Sequence, residues 1–464
     1  MDELKEPVSP TGQYLNSSAL SLSLLCFLES EIPIDDSQTT SLLKDVFLPI
    51  NSRFSSIMVV DENGEKQWKR VEVRLEDHVN VPIFPAGLSP ESYDNYLDEY
   101  ISKIGMEAFA KSRPLWEIHI FKYPTTTAAG VLIFKLHHSL GDGFSLMGAL
   151  LSCLQRADDP SLPLTFPSVR LLSNNTSLMK ILPKIFSVVF NTVSDFCWSV
   201  RKSTVLEDDK TPIRSGDDGV EFRPISMATM GFSLDHIKQI KANLGATLND
   251  VITGAIFLGS RLYMQEKSKE SSKAQSTALV LLNTRIFRSY ESVEDMVKPN
   301  AKTRWGNHFA FLHVAMPPLA EASSTNPLEF VFRAQQIINV KKNSLAVFLT
   351  GQLLKILKKL RGPEAVAKYI HNTLKNSSMG ITNLIGPIEK LSLANHPIRG
   401  LYFTVLGAPQ SICIAIVSYM GELRVAVGAE KDFIDAKKLK SYIEKAFQMI
   451  FKAACQKTDQ QPKE

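Results

Sequence analysis

Residues 130–154 read GVLIFKLHHSLGDGFSLMGALLSCL, and this stretch most constrains what the chain can fold into. Gly130–Leu136 is an apolar, β-branched run of the length of a buried strand, and Gly141 and Gly143 end it. Leu146, Leu150, Leu151 and Leu154 then recur at helical spacing. A strand that turns directly into a helix predicts a layered fold of sheet and helix. The turn carries His137 and His138, so a rigid sheet would hold both imidazoles at a cleft. An imidazole, with its ordinary pKa of about 6.5, is the usual general base near neutral pH. Asp142, four residues on, would orient the turn or pair with a cation. The chain has no GxSxG elbow, no HExxH spacing and no glycine-rich phosphate loop. A histidine base without a nucleophile partner suits direct attack by a bound hydroxyl.

A chain of 464 residues predicts two domains. A hydrophobic fraction of 44% against 22% charged residues supplies ample core, and a net charge of +4 is too small to indicate nucleic acid. The cysteines (Cys26, Cys153, Cys197, Cys413 and Cys455) are scattered, which predicts reduced thiols in a cytosol-facing protein. The acidic start, MDELKEPVSPTG, is not a signal peptide. Strands are expected at Ser55–Val60, Lys69–Val73, Glu117–Lys122 and Val131–Leu136, with a helix over Tyr93–Phe109. Further on, helices are expected at Gln352–Arg361 and Pro363–Leu374. Trp305–Met316 reads as a strand region, and Tyr402–Leu406, Ile412–Tyr419 and Glu422–Ala429 as a strand meander.

Leu178–Lys202 is apolar enough to raise the question of a membrane span, but Pro183, Lys184, Asn191 and Asp195 interrupt it. A spanning helix needs about 20 mostly apolar residues. Leu182, Ile185, Phe186, Val189, Val193 and Phe196 share one helical face, with Lys184, Asn191, Asp195 and Lys202 opposite. The segment reads as an amphipathic helix that lies in a membrane interface or packs on the protein. Glu207–Gly219 is charged and aperiodic, and is the expected linker. The expected divisions are 1–175, 176–220 (helix and linker) and 221–464.

HHSLGDG matches the HHxxxDG signature of an acyltransferase group. RPLWE at Arg113–Glu117, LGATLNDVITGAI at Leu244–Ile256 and TNLIGP at Thr382–Pro387 are similar to that group's PLW, Asn-Asp and NxxGP segments, in the same order. The chain thus resembles the wax ester synthase/diacylglycerol acyltransferase family, particularly its plant members, within the wider superfamily of CoA-dependent acyltransferases. The resemblance implies an α+β fold of the chloramphenicol acetyltransferase-like type: two domains of mixed sheets with flanking helices, and an active-site channel between them. It implies that His138 is the general base of a ternary complex. His137 either sets ring orientation or is a buried histidine satisfied by its surroundings. Asp142 is expected to be structural, paired with Arg285. Gly143, Asn249, Asp250 and Asn383 are expected at the substrate, although Asn249 and Asp250 near a helix start equally suit capping. Trp116 is expected in the core. The cluster Lys355–Arg361 is expected to be a solvated helix face, with CoA phosphates or anionic lipid as its alternative partners.

The implied reaction moves a long-chain acyl group from acyl-CoA to a fatty alcohol, with diacylglycerol as a second acceptor. No metal or cofactor is expected beyond acyl-CoA as co-substrate. The expected partners are acyl-CoA, fatty alcohol, diacylglycerol and a membrane surface, and no nucleic acid. The expected location is the cytosolic face of the endoplasmic reticulum membrane, with the plasma membrane as the alternative. A soluble HxxxD acyltransferase of secondary metabolism and a non-catalytic lipid-binding member are the competing readings. The doubled histidine, the DG ending and the lack of a DFGWG segment favour the lipid enzyme.

Overall fold

The computed structural model describes residues 6–62, 64–165, 181–285, 305–319 and 326–455, and of 181–190 the backbone only. With strands numbered along the chain, seven form a first sheet in the order β5 (Val79–Asn80), β6 (Trp116–Phe121), β7 (Gly130–His137), β2 (Ser23–Ser30), β14 (His396–Leu406), β13 (Leu391–Leu393) and β8 (Gln155–Arg156). Six form a second sheet, in the order β11 (Phe309–Ala315), β10 (Thr277–Asn283), β12 (Met379–Leu384), β15 (Ile412–Tyr419), β16 (Glu422–Glu430) and β9 (Ile225–Ser233). A small sheet joins β1 (Glu6–Pro7), β4 (Lys66–Arg70) and β3 (Ser56–Val60). The longer helices are α1 (Pro90–Met106), α2 (Gly143–Ser152), α3 (Ile181–Thr204), α4 (Leu234–Leu244), α5 (Leu248–Lys267), α6 (Pro327–Lys342), α7 (Ala346–Lys375) and α8 (Ala436–Cys455).

Each large sheet has its own apolar core. β7 and β2 pair antiparallel from Ser23↔His137 to Ser30↔Gly130, and every residue of both strands is buried. That explains the continuous apolar run, because a strand covered on both faces does not alternate. Trp116 at the start of β6 is fully buried and donates from Nε1 to the Phe54 carbonyl at 2.8 Å.

Several expectations are corrected. The strand expected at Lys69–Val73 is β4, Lys66–Arg70, because its hairpin with β3 closes through Asp61–Gly64 and sets the register Val60↔Lys66. The helix expected to reach Phe109 ends at Met106, and Phe109 instead meets the His137 ring edge-on. The two helices expected after residue 352 are both present within α7, separated at Gly362, whose φ of 79° and ψ of 175° are not helical; only the start differs, since the first helix begins at Ala346. The expected meander is broken: β14 leaves the second half of the chain and pairs antiparallel with β2 in the first sheet, Phe403↔Cys26. The division at 220 is therefore crossed by Leu391–Leu406, because the edge of β2 needs a partner that the first half lacks. The boundary expected at 175/176 lies outside the described residues.

Glu207–Gly219 is not a solvated linker. Asp208 is buried and accepts from the Thr277 amide (2.6 Å), the Thr277 hydroxyl (2.9 Å), the Ser378 amide (2.9 Å) and the Ser378 hydroxyl (2.7 Å), and it pairs with Lys202. Arg214 is buried beside it, on the Lys375 carbonyl at 3.0 Å. These charges turn inward because each finds a full set of partners.

The same logic sets the roll of α3. Several of its polar residues turn inward: Asp195 takes Lys341 Nζ at 2.8 Å, Thr192 accepts the Leu345 amide at 3.0 Å, and Ser203 meets Thr373 at 2.6 Å. Val193, at 55% exposure, and Cys197 point outward instead. Phe186 and Val189 lie among the side chains outside the described set. No described helix is long and apolar enough to cross a membrane.

Candidate active site

β7 ends at His137 and α2 begins at Gly143, so HHSLGDG is the turn between strand and helix. Asp142 is the N-cap of α2 and accepts the Ser145 amide at 3.0 Å, as the orphan donors of a helix start require. Its carboxylate also takes both arms of Arg285, Nη1 at 2.6 Å and Nη2 at 3.0 Å, and the His308 amide at 2.9 Å. The pair is buried on both sides. Arg285 Nη2 further donates to Ser145 Oγ (2.9 Å) and the Gly306 carbonyl (2.7 Å). Asp142 thus spends its carboxylate on protein groups and ties the motif to the chain just after β10 that carries Arg285.

The segment Trp305–His308 clasps the turn residue by residue. Trp305 Nε1 donates to the Leu140 carbonyl at 2.7 Å. Gly306, at φ 130°, accepts from the Asp142 amide at 3.3 Å and from Ser145 Oγ at 3.1 Å. Asn307 Nδ2 donates to the His138 carbonyl at 2.8 Å, which turns Asn307 Oδ1 toward His138 Nδ1 at 3.2 Å. An amide oxygen can only accept, so the His138 proton sits on Nδ1 and the lone pair on Nε2. Nε2 has no partner among the described residues. Burial holds the His138 pKa below its ordinary 6.5, opposed by the Asn307 hydrogen bond and the Asp142 charge. The result is a neutral, oriented imidazole with a free basic nitrogen.

His137 cannot share that role. Its Nδ1 accepts the Ser139 amide at 3.1 Å and faces Ser139 Oγ at 2.7 Å, and its Nε2 meets Ser21 Oγ at 3.1 Å. Burial, helped by His138, pushes its pKa down to about 3. It is a neutral anchor between β7 and the chain before β2.

The residues expected at the substrate separate. Asp250 is buried in a capping box on α5: its carboxylate accepts the Thr247 amide at 2.8 Å, and its own amide donates to Thr247 Oγ1 at 3.2 Å. This is the capping arrangement that Asp250 near a helix start equally suited: the Thr247 hydroxyl and one carboxylate oxygen of Asp250 serve the helix start. Asn249, next to it, is exposed and accepts from Asn383 Nδ2. Asn383 is the last residue but one of β12, and Leu384, which ends the strand, stands 3.3 Å from where a side chain on Gly143 would begin. Gly143, Asn249 and Asn383 therefore gather where α2, α5 and β12 converge. Gly143 leaves room there that any other residue would fill.

Sequence reasoning missed Asn307. The string WGNHF held one cue, a glycine and an amide directly before an apolar strand, but nothing local connects it to a turn more than 160 residues away. Replacing Asn307 by leucine is expected to lower the plateau of kcat/KM about tenfold or more, the usual scale for a group that orients a reacting one. In the parent protein the plateau should hold through neutral pH and fall on the acid side at an apparent pKa below 6.5, since acid protonates the base. Loss of Asn307 removes a contact that favours the imidazolium, so the acid limb should move to still lower pH. A pH–rate profile of the two proteins checks both statements.

Comparison with known proteins agrees with this geometry. The wax ester synthase/diacylglycerol acyltransferase catalytic domain matches residues 53–252, and the WS/DGAT C-terminal domain matches 305–451. Wax ester synthase/diacylglycerol acyltransferase 11 of Arabidopsis thaliana is 30% identical, over 93% of this chain and 91% of its own. Wax ester synthase/diacylglycerol acyltransferase 3 of the same plant is 29% identical, over 92% and 90%. The wax ester synthase/diacylglycerol acyltransferase from Marinobacter aquaeolei VT8 shares the fold, with a TM-score of 0.60 at 15% identity over 97% of this chain and 99% of that one. The first condensation domain of the calcium-dependent antibiotic synthetase shares it at 0.57 and 12%, over 97% of each. The two matched domains together span most of the chain, from the motif turn to the segment that clasps it, and the chain belongs to the wax ester synthase/diacylglycerol acyltransferase family.

Proposed function

We propose that this protein transfers a long-chain acyl group from acyl-CoA to the hydroxyl of a fatty alcohol, forming a wax ester, with diacylglycerol as a second acceptor. The observation that carries the reading is the free Nε2 of His138, its other nitrogen held by Asn307. In the reaction Nε2 takes the hydroxyl proton as the alcohol oxygen bonds to the thioester carbonyl carbon. The tetrahedral intermediate collapses, the carbon–sulfur bond breaks, and the CoA thiolate recovers the proton from the imidazolium. No acyl-enzyme is needed. The test offers labelled palmitoyl-CoA with hexadecanol, diacylglycerol and a phenolic alcohol in parallel. Ester on hexadecanol is expected, and ester on the phenol alone would overturn the reading.

The protein acts, in this reading, from the cytosolic face of the endoplasmic reticulum membrane. Support comes from the outward side of α3 and α7. Phe348 (61% exposed), Ile356 and Leu360 (75%) form an apolar stripe on α7, and Lys355, Lys359 and Arg361 stand exposed beside it. An apolar stripe flanked by cations suits an anionic bilayer surface. Phe348→Ser with Leu360→Ser is expected to reduce sedimentation with phosphatidylserine-containing vesicles several-fold. Tags on either side of α3 should both be reached from the cytosol in intact microsomes, and opposite accessibility would sink the proposal.

A further inference from the structure

A pocket of about 310 Å³ lies between β11, α3 and α7, and it is mostly apolar. Strand alternation puts Phe309, Phe311 and His313 of β11 on one face, and all three line it. At one end Phe309 meets the His138 ring edge-on, with centroids 5.9 Å apart. At about 3.3 Å per residue, His313 lies about 13 Å further along the strand. Phe309 thus links the pocket to the His138 ring, and the pocket runs on from Phe309 for a distance that suits an alkyl chain.

Its far end is not apolar. His313 is 95% buried and its Nε2 has no partner among the described residues; the same holds for Asp195 Oδ2, whose other oxygen takes Lys341. Asp195 and Lys341 line the same pocket. Burial and the nearby Lys341 and Lys202 charges push His313 down to about 3, so its ring is neutral, with one nitrogen to donate and one to accept. A pocket built only for a hydrocarbon tail would be apolar throughout, since a buried polar atom left unpaired costs about 1–3 kcal/mol. A carboxylate on the tail would meet Asp195, and an ammonium would meet Lys341. A neutral group that both donates and accepts fits all three side chains.

We propose that this pocket takes the hydrocarbon tail of one substrate, and that His313 with the Asp195–Lys341 pair binds a hydroxyl carried near the end of that tail. The proposal rests on His138 as the place of transfer. It makes the protein selective for hydroxylated chains, either on the alcohol or on the acyl donor.

The experiment compares hexadecanol with α,ω-hexadecanediol as acceptor, and palmitoyl-CoA with its ω-hydroxy derivative as donor, in parent protein and His313→Leu. In the parent the hydroxylated member should be favoured at least about tenfold in kcat/KM on one arm, because the plain chain leaves the polar end unpaired. The arm that responds names the substrate that fills the pocket. In His313→Leu the preference should disappear. Equal or reversed preference on both arms of the parent, which needs no variant, overturns the proposal, as does a preference that survives in folded His313→Leu. Binding of ω-hydroxypalmitate against palmitate, measured by calorimetry, separates the two readings. Tighter binding of the hydroxy acid with no ester from any acceptor would leave the pocket standing and remove the transfer. Ester formed without preference would do the reverse.

Discussion

Replacing His138 by alanine is expected to lower transfer to both alcohol and diacylglycerol roughly 10²–10⁴-fold while the protein stays folded. The side chain holds little of the structure together. Its Nδ1 meets Asn307 Oδ1, but Asn307 keeps its second bond to the residue 138 carbonyl, which alanine retains. Acyl-CoA binding should therefore survive. Initial rates with labelled palmitoyl-CoA, alongside circular dichroism, check the result, and a folded variant with near-parental turnover would remove His138 from the mechanism. His137→Ala should behave in the opposite way. It strands Ser21 and Ser139 and lowers stability more than it lowers the rate per folded molecule.

Asp142→Ala is expected to cost about 3–5 kcal/mol of stability, because it removes one partner of a buried ion pair. It also removes the cap of α2 and the acceptor for the His308 amide. Asn307 is the neighbour of His308, so the orientation of His138 loosens and the rate of the remaining folded protein should fall as well. Denaturant unfolding measures the first effect, and rate per folded molecule the second. Arg285→Lys should not rescue, since an ammonium cannot supply the two parallel bonds. The double variant Asp142→Ala with Arg285→Ala should cost less than the sum of the two single ones, as expected for partners in one pair. Additive losses would argue that the two groups act separately.

What the sequence made legible depended on whether the deciding contact was local. The strand, turn and helix around His138 were readable because their signals lie within 25 consecutive residues. The Asp142–Arg285 pair was accessible only through family resemblance, since 143 residues separate the two. Asn307 was invisible for the same reason, and no charge drew attention to it. The periodicity of α3 revealed two faces but not which one is inside. Hydrophobicity pointed to the apolar face, whereas the partners Lys341 and Thr373 admit the polar one. Asp250 shows the converse. Its capping box spans only Thr247–Asp250, so the local reading was available and was the one the helix uses.

The strand that returns from the second half of the chain has a consequence for how the protein is made. β7 leaves the ribosome early, but β14 begins at His396, so the first sheet waits for its central pairing through roughly 260 residues of synthesis, tens of seconds at about 5–20 residues per second. During that time β2 presents a largely apolar strand, Leu24–Leu28, with one unpaired edge, the kind of surface on which nascent chains misassociate. Closing so long a loop is slow, so the barrier to folding should be set by the docking of β14 and not by either half. Fragments cut near residue 220 should then be insoluble when made alone and recover activity only when produced together.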